Sequence, residues 1–114
     1  KSNCSLDSFC QMIARTAELM GVSQIGIGSD LCQDQPDSVV EWMRVGRWTK
    51  DIDYGEGSAA NAGFPPMPSW FQDNRHFDAI ATGLHKQGFS QADVAGIMGE
   101  NWLNFYDASF GPAE

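Results

Sequence analysis

One stretch limits the folds open to this chain more than any other: Val22-Ser23-Gln24-Ile25-Gly26-Ile27-Gly28-Ser29-Asp30. A valine and two isoleucines in so short a run, with glycine on either side of Ile27, leave no room for a helix and predict a β-strand. The glycines remove side chains where another backbone, or a ligand, comes close. A strand needs neighbours, because ladder groups left unpaired away from water cost free energy. The remaining sequence predicts none.

Helical periodicity accounts for most of the rest. From Ser5 to Met20, the residues Leu6, Phe9, Cys10, Ile13, Ala17 and Met20 recur at spacings of three and four and share one face. Ser5 is placed to cap this helix, Asp7 suits its first turn, and Gly21 suits a left-handed end. A second helix is predicted from Pro36 to about Trp48, with Val39, Val40 and Met43 on one stripe. Asp51 to Ser69, rich in Gly, Ala and Pro, predicts a loop long enough to cover something. A third helix is predicted from about Asn74 to Lys86, with Phe77, Ile80, Ala81 and Leu84 inward and Gly88 ending it. A fourth begins at Ser90, with Asp93 as capping-box partner and Val94, Ile97 and Met98 apolar. Glu100 to Tyr106 predicts a last aromatic turn or two.

The β-then-α order predicts a parallel sheet, in which an inner strand is paired on both edges. The strand's neighbours would then lie outside this sequence, and residues 1–114 would be part of a larger protein.

Composition narrows the function. The 15 acidic residues against 7 basic give a formal charge of −8, which argues against a nucleic-acid partner, since phosphate backbones need a basic face. No run approaches the ~18 apolar residues of a membrane span. Cys4, Cys10 and Cys32 have no CxxC spacing and read as buried thiols rather than a disulfide or zinc framework. His76 and His85, nine apart on one predicted helix, do not face each other as a metal pair would and read as surface or interfacial histidines. Arg44, Arg47, Lys50 and Trp48 resemble an anion site but fit a solvated helix face better. Trp42, Trp48, Trp70 and Trp102 read as packing anchors. No P-loop, GxSxG, HExxH or GxGxxG occurs.

Chemistry concentrates at Asp30. In α/β folds, reacting residues sit at the C-terminal ends of strands, and Asp30 holds that place. A carboxylate there can take a proton, bind an ammonium group or ligate a metal. The structural alternative is that Asp30 caps a turn or helix.

Taken in order, Gly-Ile-Gly-Ser-Asp (26–30), a Pro-containing loop, Gly-Phe-Ser (88–90), Asp93 and Ile-Met-Gly-Glu-Asn-Trp-Leu (97–103) resemble the C-terminal end of the renal (membrane) dipeptidase family of zinc metallopeptidases, including its bacterial members. The resemblance covers nearly the whole chain. It implies a (β/α)8 barrel with two zinc ions, residues 22–29 as the eighth strand, and strands one and seven as its partners. It implies hydrolysis of dipeptides or similar small amides by a metal-activated water, with Asp30 as the catalytic carboxylate beside that water. Gly26 and Gly28 would leave space for metal and substrate. The zinc ligands and the substrate-binding arginine map to no residue of this sequence, so the isolated chain is expected to be inactive. Association with the missing barrel portion, or a homo-oligomer, follows as an expectation.

The chain departs from the family at Leu31-Cys32-Gln33, where Phe-Asp-Gly is frequent, at Asn104, where arginine is common, and over about Asp34 to Gly63, which reads as an insertion. Two other readings stay open. One is a self-contained acidic helical interaction module without catalysis, its strand paired by self-association. The other is a barrel that has lost its metals.

Overall fold

The computed structural model describes residues 4–31, 33–39 and 67–111. They fall in two units, Lys1–Asp30 with Pro68–Glu114, and Leu31–Met67. In the first unit, helix α1 spans Leu6–Met20. Ser5 caps it as its sequence position predicts, the hydroxyl accepting from the Ser8 backbone N–H at 3.1 Å. It ends at Gly21, whose φ of 84° needs a residue without a side chain, and the Gly21 N–H closes the last turn on the Ala17 carbonyl.

Asn74–His76 form a 3-10 turn that leads into helix α2, Phe77–Lys86. A positive φ of 92° at Gly88 follows its C-terminus. Ser90 and Asp93 form the expected capping box at the start of the short helix α3, Gln91–Ala95, each bonding the other's backbone N–H. A π-helical turn, Gly96–Glu100, continues α3 and bends at Gly99 into helix α4, Asn101–Phe110. The last helix is thus longer than the predicted Glu100–Tyr106.

Helices α1 and α2 pack on each other, and Gly83 is what lets them. A Cβ there would stand 2.5 Å from Cys10 Sγ and 3.1 Å from Leu6 Cγ. The Cys10 thiol points at the Ile80 carbonyl, 3.9 Å away, and Gln87 Nε2 donates to Asp7 across the same seam at 2.8 Å. The core comprises Cys10, Ile13, Phe71, Ile80, Leu84, Val94 and Ile97. Beside it runs an aromatic chain: Phe9 on Trp70 at 5.4 Å, Trp70 on Phe71 at 5.8 Å, and Phe71 edge-on to Phe77 at 5.2 Å. Trp70 also donates its indole N–H to the Cys4 carbonyl.

In the second unit, residues 37–39 are helical and Val39 N–H bonds the Pro36 carbonyl. The rest of the predicted Pro36–Trp48 helix, and most of the predicted Asp51–Ser69 loop, lie outside the described residues.

The expected α/β class, a C-terminal fragment of a (β/α)8 barrel, is overturned. Among the described residues there is no strand and no barrel; they are predominantly helical. Val22–Gln24 wind into a 3-10 turn, with Gln24 N–H on the Gly21 carbonyl and Ile25 N–H on the Val22 carbonyl. Only from Ile25, at φ −112° and ψ 132°, does the backbone run extended. Alternating apolar residues report burial against a partner without saying what the partner is. Here Ile25 and Ile27 are half-buried against helices, and helix side chains take carbonyl groups that a ladder would otherwise have used.

Two smaller expectations also fail. Met20, expected on the inward face of α1, is 59% exposed. Cys4, expected buried, is exposed, whereas Cys10 is buried as expected. Burial, with help from the nearby Asp7 charge, pushes the Cys10 thiol pKa up.

Candidate functional site

The extended run from Ile25 ends at Asp30. Its residues lie between two open grooves. One, of about 250 Å³, is walled by Asn101, Trp102 and Phe105 on the α4 side. The other, of about 220 Å³, is walled by Phe9, Met12, Ile13 and Thr16 on α1. The run is therefore seated between the first and last helices of its unit.

Three hydrogen bonds tie it and the 3-10 turn before it to α4. Asn101 Nδ2 donates to the Val22 carbonyl and to the Ile25 carbonyl, each at 2.8 Å, and Trp102 Nε1 donates to the Ile27 carbonyl at 3.3 Å. Gly26 makes the approach possible. A Cβ on it would overlap the Trp102 indole, with Cε2 at 2.7 Å and Cδ1 at 2.8 Å. The space left by Gly26, expected for metal and substrate, is thus filled by tryptophan. At Gly28 the corresponding space is open.

Asp30 is exposed, and its backbone is left-handed, with φ 46°. That region is uncommon for residues other than glycine, although Asp enters it more readily than most. Among the described residues no hydrogen bond reaches its carboxylate, so none of their turns or helix starts uses Asp30 as a cap.

The two histidines sit apart in role as well as sequence. His76 Nδ1 accepts from the backbone N–H groups of Gln72 and Asp73, at 3.2 and 3.3 Å, and completes a capping box with Asp73. Its neutral ring then carries the proton on Nε2. His85 is exposed, with Nδ1 3.3 Å from the Phe89 carbonyl. Asp73 accepts from the Arg75 side chain, 2.5 Å from Nη2 to Oδ2, and from the Arg75 backbone N–H. These bonds hold its carboxyl down to about 2.

No group of three His, Cys, Asp or Glu among the described residues is arranged to hold a metal ion. These residues therefore do not fit a zinc centre, whose ligands the resemblance places elsewhere. Among the described residues no helix is long and apolar enough to cross a membrane. Arg44, Arg47, Lys50, Trp42, Trp48 and Cys32 lie outside the described residues.

Sequence reasoning missed Asn101 and Trp102 as site residues, the one passed over and the other assigned to packing. A carboxamide at the start of a helix directly after a Gly-rich turn was the available signal, since such a side chain competes for backbone groups. Comparison of the chain with protein-family models, curated proteins and solved structures found no match.

Proposed function

We propose that this chain belongs to a zinc-dependent dipeptidase-like hydrolase acting on dipeptides or similar small amides, and that Asp30 is its proton-transfer residue. The observation that supports it most is Asp30 itself, an exposed carboxylate on left-handed backbone at the end of a glycine-containing extended run. Strained backbone of this kind concentrates at functional sites. The Gly-Ile-Gly-Ser-Asp resemblance supplies the reaction class.

Asp30's part in such a hydrolysis is confined to moving a proton. As water adds its oxygen to the scissile carbonyl carbon, the carboxylate accepts a proton from that water. The C–N bond then breaks, and the proton passes to the departing amine nitrogen, leaving a carboxylic acid and a free amine. The described residues supply no step through a metal.

In the complete protein, Asp30→Asn should lower kcat for dipeptide hydrolysis by about 10²-fold or more, with bound metal unchanged. Near-normal turnover in that variant overturns the role.

One observation favours a second reading, an interaction module. Leu103 and Phe110, seven residues apart on one face of α4, are 69% and 80% exposed, and exposed apolar patches mark contact surfaces. A complete protein with neither bound zinc nor dipeptide hydrolysis would favour that reading over the hydrolase.

A further inference from the structure

The three bonds between α4 and the run leading to Asp30 form one device. A carboxamide has two N–H protons, and Asn101 directs its Nδ2 at two carbonyls three residues apart in sequence. Trp102, the next residue, adds a donor two residues further along the run. Each donor is matched by a glycine from a different segment. Gly26 leaves room for the indole, and Gly96 leaves room behind the carboxamide, where a Cβ would stand 2.9 Å from Asn101 Oδ1. The bend at Gly99 comes just before both donors and turns them toward the run.

We infer that Asn101, seconded by Trp102, is the positioning residue for Asp30. By holding the Val22, Ile25 and Ile27 carbonyls, it fixes the path of the run and hence where the Asp30 carboxylate sits. The catalytic half of this inference rests on Asp30 as the proton-transfer residue; the structural half does not.

Asn101→Asp keeps the shape and replaces the NH₂ group with an acceptor facing two carbonyl oxygens. Backbone ¹⁵N relaxation on this chain should show Gly26 to Asp30 falling from rigid order parameters, about 0.85, to below about 0.6, with α1 and α2 unchanged. If these amides are already mobile in the parent chain, or stay rigid in the variant, the inference is overturned. Where Asn101→Asp fails to fold, Trp102→Phe carries the same test. It removes only the Ile27 bond, and a smaller fall confined to Ile27–Asp30 is expected.

In the complete protein, Asn101→Asp should lower kcat by about 10- to 100-fold with KM within about twofold of the parent. The double variant Asp30→Asn/Asn101→Asp should be no slower than Asp30→Asn alone, because one residue acts through the other. A merely structural role would slow the double variant further. If Asp30→Asn abolishes turnover while Asn101→Asp preserves it, the positioning role is overturned and the hydrolase reading stands. If Asp30→Asn itself turns over normally, the hydrolase reading fails, and the relaxation result alone decides the structural half.

Discussion

At the scale of single residues, Gly83 fits tightly against Cys10. Gly83→Ala drives a methyl group into a sulfur and a leucine branch point in a buried seam. A destabilisation of about 1–3 kcal/mol, typical of overpacking, is expected from urea melts. Cys10→Ala vacates the same space, so the double variant should recover much of the loss as a favourable coupling, and simple additivity would show that the two sites do not share a volume. Asp73 tests electrostatics instead. Its folded carboxyl titrates at about 2, below the ordinary 3.8. A depressed pKa means that Asp73 contributes stability above pH 3.8 and loses it as pH falls through about 2. The stability difference between the parent and Asp73→Asn should therefore shrink over that window in urea melts stepped through pH. A difference independent of pH would show that the Arg75 contacts do not control it.

At the scale of elements, the sequence announced helices far better than it announced what lies between them. Helix α1, its Ser5 cap, its Gly21 end and the Ser90–Asp93 capping box were all legible. Each depends on neighbours within four residues, and short-range hydrogen bonding favours only certain residue types there. Val22–Asp30 was misread because a strand is defined by distant partners, and an apolar run packed by helices has the same spacing as one packed by strands. Likewise, His76 was placed on the surface correctly, but its ring is spent on the backbone of Gln72 and Asp73. Asp30 could be nominated from its place at the end of the run. Asn101 offered only a carboxamide after a Gly-rich turn, and its partners Val22 and Ile25 lie 79 and 76 residues away. No local periodicity carries a contact of that range.

At the scale of the whole molecule, the buried side chains among the described residues come mainly from α1, α2, and α3 with the turn that follows it, and α4 contributes none. Leu84 is fully buried and Leu103 is 69% exposed. Leu84→Ala should cost about 2–5 kcal/mol, and Leu103→Ser less than about 0.5 kcal/mol, read as shifts in urea midpoint at constant m. Comparable losses would mean that α4 belongs to the core. The lightly anchored α4 nevertheless supplies both donor side chains, and with them all three hydrogen bonds, to the segment leading to Asp30. This has a consequence in time. During synthesis, Ile25 is joined to the chain 76 residues before Asn101, an interval of roughly 4–15 s at ~5–20 residues per second. Throughout that interval Asp30 exists without the side chains that set it in place. The site is completed only when α4 has left the ribosome, so a nascent chain stalled before Asn101 carries the carboxylate but not its alignment.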